Sequence, residues 1–522
     1  MKPTSKQVVQ GAILLTIAGL ISKILSATYR IPLQNLTGDL GFYLYQQVYP
    51  FIGTVMILSL YGFPVAISSL VVETKQKGQA LSWRQFFMPL WTVLSIINGL
   101  LFLVIFLSAP LIAKLSGEPS FTALYQTVAF LFLLVPIVAI LRGTFQGLGE
   151  MTQTAYSQIL EQLVRVSIII GASYLVFRGE LHVSKIGFYG ILASIAGLVV
   201  VSIYLLVVFM KRKVIESENI RTERIHLKYI FTICVTLGIV ASINQLILIF
   251  IQLIDVISLV PNLIDYGFNV MEARTQKGIF DRGLPLIQFG VVFGSSFALA
   301  LVPALTTNSN KESNLSQQTA KDALSLSFYI SSAATVGLIC IMPEANLLLF
   351  MDRDGSFSLQ ILSFSILLTS IAITGSAILL SERRWKPIIF GIILMIITKY
   401  VLNEWLVPIY AITGSAMATV ISLTIFFIVI LSPLKNISLL RSINLKAFLL
   451  ATSGMIVFLI SSRTIIYPLF PSTRLSLLCY VLFIVLLGAF IYMYLLIRHN
   501  GFSVRQINNL PFSTLLLKFL PK

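Results

Sequence analysis

Fourteen apolar runs, broken by short polar clusters, recur along the chain at 8–29, 40–72, 86–114, 121–148, 152–177, 186–210, 228–254, 279–306, 321–350, 358–381, 386–407, 411–432, 445–465 and 474–497. Each reaches the roughly 20 residues that a helix needs to cross a bilayer. The pattern predicts an all-α, polytopic membrane protein of about 14 transmembrane helices. The first run, GAILLTIAGLISKILSATYR, contains Lys23 and ends at Arg30-Ile31-Pro32 without a small-residue cleavage site, so it reads as a retained helix and not as a removed leader. The longest connections, around 211–227 and 255–278, leave no room for a catalytic domain.

A faint internal repeat divides the runs. Segment 146–165 aligns without gaps on 380–399, setting Tyr156 on Phe390, Ile159 on Ile393 and Arg165 on Lys399. Pro110 matches Pro343, the Ser-Phe pair at 120–121 matches that at 356–357, and Gly190 matches Gly414, all in the same order. Chance likeness between apolar segments is the alternative. Duplication implies an N-lobe of helices 1–6 over 1–220, a C-lobe of helices 7–12 over 221–435, appended helices 13–14 over 436–500 and a cytoplasmic tail over 501–522. Six helices per copy keep both copies in one orientation, so a pseudo-twofold runs along the membrane normal. Two six-helix lobes about a central cleft suit an alternating-access transporter.

Composition sharpens this picture. Of 522 residues, 57 % are apolar and 11 % charged, against about 25 % charged in soluble domains, which excludes a soluble enzyme. The formal charge of +17 is read as topology before nucleic-acid binding. Loops on the N-terminal side carry 23 of the 37 Lys and Arg, the opposite side carries 10, and four fall inside spans; the bias places both termini in the cytoplasm. Cys234, Cys340 and Cys479 have no metal or disulfide spacing, and His182, His226 and His499 lie outside the spans. No metal site, cofactor motif or membrane histidine relay is expected, while a coupling cation is left open. The glycines of GTFQGLGE (143–150) lack the Lys-Ser/Thr of a P-loop and read as a helix terminus.

Ionisable residues in or beside the spans hold the candidate chemistry: Lys23, Arg30, Arg142, Glu161, Arg165, Arg282 and Lys399. Each costs about 2.5–3.5 kcal/mol if it faces lipid at mid-bilayer on insertion scales, so most must meet a partner or a wet cavity. Lys23 and Arg30 stand two helical turns apart on one face, a cationic stripe; snorkelling of Arg30 is the plainer alternative. Arg282 follows Asp281, either a simple interfacial neighbour or a cation facing that stripe across the cleft. Glu161 and Arg165 form an i, i+4 pair in the favourable order, and structural pairing competes with a cleft role. Lys399 precedes Asn403 by four residues; Lys399 and Arg165 either face the pseudo-axis or neutralise neighbouring helices. Arg142 is expected to snorkel. Asp255 and Glu161 are the carboxylates that would serve a cationic substrate. Pro64, Pro136, Pro303 and Pro343 either bend spans between states or pack statically.

ISKILSATYRIP (21–32), GFYLYQQVYPF (41–51), GFPVAISSLVVE (62–73), ALALVPAL (298–305) and KYVLNEWLVPIYAITGSAMATVI (399–421), taken in order, resemble the bacterial polysaccharide-biosynthesis transporters of the multidrug/oligosaccharidyl-lipid/polysaccharide (MOP) flippase superfamily. The likeness extends over about 430 residues, toward the stage V sporulation protein B group, which is similar to the lipid II flippase MurJ. LSERRW (380–385) departs from it, where relatives carry a second LQGLG-like turn.

The resemblance implies two six-helix lobes of MATE-like fold, with helices 13–14 forming a groove for a lipid tail. It further implies that Lys23, Arg30 and Arg282 receive the pyrophosphate of an undecaprenyl-linked saccharide. Arg165, Glu161, Lys399, Asn403 and Asp255 are cleft or gating candidates. The implied activity is non-enzymatic: movement of a peptidoglycan or polysaccharide precursor across the bacterial plasma membrane. The implied partners are that saccharide lipid, membrane lipids and envelope-synthesis enzymes, with no nucleic acid. A cation-coupled multidrug exporter and a non-transporting scaffold for envelope synthesis are the rival readings.

Overall fold

The computed structural model describes residues 18–19, 21–22, 24–26, 28–215, 226–299, 313–434, 443–470, 473–508 and 513–520. Most of the first expected span, including Lys23, lies outside them, as do Pro303 and the connections around 216–225 and 435–442. Among the described residues there is no β-strand, and 12 stretches are long and apolar enough to cross a membrane.

The chain separates into two compact units, Met1–Pro261 with Asn269–Asp281, and Asn262–Phe268 with Arg282–Lys522. The first contains α1 (Arg30–Ile57), α2 (Phe63–Gln76), α3 (Met88–Leu115), α4 (Thr122–Ala129), α5 (Leu131–Gly147), α6 (Met151–Phe177), α7 (Ile186–Lys211), α8 (Leu227–Ile233), most of α9 (Val240–Tyr266) and α10 (Val270–Asp281). The second contains α11 (Gly283–Leu299), α12 (Ser313–Phe350), α13 (Ser356–Ser381), α14 (Lys386–Tyr410), α15 (Ile412–Leu431), α16 (Leu445–Ile465) and α17 (Arg474–Arg498). The expected boundary at 220/221 falls between α7 and α8. By packing, α8 stays with the first unit, because Ile230 and Cys234 join its core beside Phe86, Phe87 and Leu90.

Burial sorts the helices by environment. In α3 only 17 % of the most apolar window is buried; Leu100, Leu103, Val104, Leu107 and Leu111 form an exposed stripe at helical spacing, while Asn98 faces inward and gives its amide proton to the Leu94 carbonyl. That stripe is lipid-facing. In α13 the figure is 78 %, and the helix is rich in Ser and Thr, with Ser363 and Thr374 bonded back to their own turn.

Two local features set the positions of charge in the first unit. Helical geometry runs past Arg30 to Thr37 and breaks at Gly38, whose φ of 70° suits glycine, so the first expected span does not stop at the Arg-Ile-Pro sequence. Farther on, Leu58–Gly62 winds as a π-helical turn before Pro64 opens α2. Pro64 thus lies in the first turn of α2, directly after the π-helical turn. The glycines of GTFQG are a packing face as well as a terminus: a Cβ on Gly143 or Gly147 would lie 2.6 Å from Ile67 or Val71, so α5 and α2 approach as small-xxx-small helices do. Gly149, at φ 80°, makes the turn after α5.

In the second unit, α14 and α15 form a tight hairpin. Ala411 reverses the chain at φ 50°, and a Cβ on Gly414 would stand 2.2 Å from the Leu406 carbonyl oxygen. The α16–α17 pair packs on α12 through Tyr329, Phe448 and Tyr492, and the Tyr492 hydroxyl donates to the Tyr329 carbonyl at 2.9 Å.

Candidate functional site

The charged interior of the first unit is built on one face of α6. Thr154, Ser157, Glu161 and Arg165 recur at three- and four-residue spacing and are all buried. Glu161 accepts from Arg165 Nη2 at 2.6 Å, the expected i, i+4 pair, and from Arg142 Nη2 at 2.8 Å. Arg142 is fully buried; its Nε donates to Ser157 Oγ at 2.9 Å and Nη1 to the Ser59 carbonyl at 3.4 Å. The expectation that Arg142 snorkels is thus overturned, because the Gly143 contact draws α5 inward and the π-helical turn presents Ser59. Arg165 also meets Gln162 Oε1 at 3.2 Å and the Met56 sulfur. Gly197 of α7 lets that helix rest against the Glu161 backbone. Two guanidiniums share one carboxylate, so the triad carries a net positive charge.

Arg30 is also buried, its guanidinium 4.0 Å from the Tyr49 ring centre. Tyr49 leans on Tyr45, Tyr45 meets Tyr29 edge to face, and the Tyr29 and Tyr45 hydroxyls are hydrogen-bonded. This stacking overturns the snorkelling alternative for Arg30. Tyr45 and Tyr49 stand one helical turn apart in GFYLYQQVYPF, a spacing that could have singled them out. Lys23, the other member of the stripe, lies outside the described residues.

Asp281 does not pair with Arg282. It accepts from Lys277 at 2.6 Å within α10, an i, i+4 spacing that the sequence reading passed over. Asp255 is buried on α9 and electrostatically close to Asp281. Nearby, Arg274 grips Glu118 with two hydrogen bonds of 2.5 and 2.6 Å, and Tyr43 donates to the same carboxylate at 3.0 Å. The Glu118 bond holds the Arg274 guanidinium above an arginine's ordinary range.

The second unit holds the remaining candidates. Arg282 is fully buried and bidentate to Asp352 at 2.9 and 2.6 Å, with a third bond of 2.7 Å to the Asp354 carbonyl. Its partner comes from the MDRDG turn (351–355), 70 residues away, and not from its sequence neighbour. Lys399 is buried with Nζ 3.1 Å from Asn403 Oδ1, 2.9 Å from Ser415 Oγ, 3.0 Å from the Ser415 carbonyl and 2.8 Å from Thr419 Oγ1. The Asn403 contact follows from helical spacing; Ser415 and Thr419 were not foreseen. Among the described residues no group of three or more His, Cys, Asp or Glu could hold a metal.

The sequence profile of the polysaccharide biosynthesis protein family matches residues 8–309. A relative from Bacillus subtilis (strain 168), the uncharacterized membrane protein YabM, is 36 % identical over 98 % of this chain and 96 % of its own length. The chain belongs to the polysaccharide biosynthesis protein family. The lipid II flippase MurJ of the same organism is 25 % identical over 80 % of each chain, and its stage V sporulation protein B is 28 % identical over 57 % of this chain and 58 % of its own length. Among solved structures, MurJ in an inward closed conformation superposes with a TM-score of 0.67 at 14 % identity, covering 92 % of this chain and 98 % of that one. An inward-facing MATE multidrug transporter gives 0.58 at 14 % identity, covering 83 % and 99 %. These likenesses place the fold with MurJ and MATE transporters in a multi-pass membrane protein.

Proposed function

We propose that this chain is a flippase that moves an undecaprenyl-pyrophosphate-linked envelope precursor, lipid II or a polysaccharide repeat unit, from the inner to the outer leaflet of the bacterial plasma membrane by alternating access. The observation that supports this reading is the Arg142–Glu161–Arg165 triad, in which two buried guanidiniums share one carboxylate, together with the guanidinium of Arg30 buried against Tyr49. A phosphate in hydrocarbon is prohibitively costly without such groups, and guanidiniums match phosphate geometry. The polyprenyl tail stays in lipid. Lys23 and Arg30 are assigned to the pyrophosphate, and Arg282 to the same chemistry within its own unit, where phosphate would exchange for Asp352. An exporter of cationic drugs would need a carboxylate to offer; Glu161 is held by two arginines, which leaves Asp255, buried on α9, as the carboxylate such a reading would use.

The test is complementation. Cells depleted of their own lipid-linked precursor flippase receive the wild-type chain, Lys23→Ala or Arg30→Ala, with membrane protein level measured in parallel. Loss of rescue at unchanged protein level is expected from both variants. Full rescue by both at normal level would overturn the assignment of Lys23 and Arg30, and absence of rescue by the wild-type chain would favour a non-transporting scaffold.

A further inference from the structure

The chain beyond α17 turns back on itself from a fixed point. The Gly501 amide donates to the Leu496 carbonyl at 2.7 Å, Asn500 sits at φ 57°, and a Cβ on Gly501 would stand 2.8 Å from the Leu496 carbonyl oxygen, so the reversal is tight. A short helix, α18 (Val504–Asn508), follows. Its start is capped reciprocally: the Ser503 amide donates to Gln506 Oε1 at 2.9 Å and the Gln506 amide to Ser503 Oγ at 3.2 Å. Phe502 and Ile507 are buried, and Gln506 Nε2 donates to Asp322 Oδ1 at 3.1 Å and to Ser325 Oγ at 2.8 Å on α12. These bonds pin α18 to the second unit.

Farther on, Ser513–Leu516 and the turn Leu517–Phe519 lie against α17. The Phe519 ring centre is 5.6 Å from that of Tyr494 and 6.2 Å from that of Phe490. Helical rise sets those two residues about 6 and 12 Å inside Arg498, the charged end of a membrane-spanning helix. Tyr494 and Phe490 are 39 % and 52 % exposed, so Phe519 covers the lipid-facing side of α17 and not its core side. Leu516, Leu517, Phe519 and Leu520 are each only partly covered by protein. Their uncovered remainder lies at the depth, about 5–10 Å into the headgroup and acyl boundary, where amphipathic segments settle. From Arg498 to Lys522 the sequence has four Lys and Arg and no Asp or Glu, a balance that suits anionic headgroups.

We propose that residues 513–520 form an interfacial anchor whose partner is the bilayer itself: the apolar side chains share themselves between α17 and the acyl chains of the leaflet at Arg498, and the basic stretch around them meets anionic lipid headgroups. A tail standing in water would leave the same side chains half uncovered with nothing apolar to meet. The inference does not depend on what the chain carries.

The full-length chain, with Cys234, Cys340 and Cys479 replaced by Ser, is placed in nanodiscs containing phosphatidylglycerol. Nitroxides on Leu516→Cys and Leu520→Cys are read by collision with oxygen and with a nickel chelate, against a label on Arg212→Cys at an exposed helix end. Oxygen concentrates among acyl chains and the chelate stays in water, so the oxygen-to-nickel ratio is expected to be several-fold higher at Leu516 and Leu520 than at Arg212. Weak collision with both agents would mean that protein alone clasps the segment, and a ratio equal to that at Arg212 would put it in water; either result overturns the proposal. Phe519→Trp keeps an aromatic ring and decides the matter even if the labelled chains do not fold. Its fluorescence, added to that of the four native tryptophans, is expected to be quenched by phospholipids brominated on their acyl chains, and less so once phosphatidylcholine replaces phosphatidylglycerol. Absence of bromolipid quenching would overturn the anchor, and indifference to the headgroup would overturn its anionic partner.

Discussion

Replacing Glu161 by Gln tests the physical core of the first unit. The wild-type carboxylate is about 95 % buried and closes ion pairs of 2.8 and 2.6 Å with Arg142 and Arg165. Glutamine keeps the shape and one acceptor oxygen but leaves two buried guanidiniums without their shared anion. Breaking a buried pair from one side costs about 3–5 kcal/mol. The two arginines then also repel, by about 3 kcal/mol if they stand some 5 Å apart at an effective dielectric of 20. The two figures overlap, since both describe uncompensated charge, so about 3–5 kcal/mol is the expected loss. At roughly 1 °C per kcal/mol for a chain of 522 residues, Glu161→Gln in detergent should melt about 3–5 °C below wild type. The cycle with Arg165→Gln isolates the cause: the double variant carries one buried arginine and should be more stable than the sum of single losses predicts, by about 1 kcal/mol or more. A Glu161→Gln chain melting within about 2 °C of wild type, or strict additivity in the cycle, would refute the claim that this charge is buried and shared.

Two further outcomes are expected. Gly414→Ala places a methyl 2.2 Å from the Leu406 carbonyl oxygen, so the α14–α15 hairpin must open at a cost of about 1–3 kcal/mol; an unchanged melting temperature would show that the contact is slack. If the lipid headgroup carries roughly two negative charges outward, an inside-negative potential of 100 mV contributes about 4–5 kcal/mol. Collapsing only the electrical potential with a potassium ionophore should then slow flipping, and an unaffected rate would exclude the potential as the driving force.

The helices were legible because apolar runs of membrane length leave little else for the backbone to do. The breaks within them were less so. Gly38 carries its positive φ in a Thr-Gly-Asp stretch that reads as a loop, and the π-helical turn at Leu58–Gly62 has no marker in LSLYG. Pairs one helical turn apart, Glu161–Arg165 and Lys399–Asn403, could be read from spacing alone. Arg142 and Arg282 could not, because their partners lie 19 and 70 residues away on other segments, and a charge judged only by its neighbours looks unattended. Snorkelling was the natural expectation for Arg142; what it lacked was the Gly143 contact that makes burial possible.

The repeat brings these cases together. Tyr156 and Phe390, matched in sequence, are both exposed on their helices, and Arg165 and Lys399, matched nine residues later, are both buried. Equal places within α6 and α14 thus hold a buried cation. Arg165 meets a carboxylate one turn earlier on its own helix, and Lys399 meets an amide one turn later and oxygens from the next helix among its partners. A planar fork suits bidentate oxyanions, and a compact ammonium suits convergent single oxygens. Exchanging Arg165 and Lys399 between the two places would set the fork of an arginine among the single oxygens of Asn403, Ser415 and Thr419 and a lysine beside Glu161, so both exchanges are expected to lower the melting temperature.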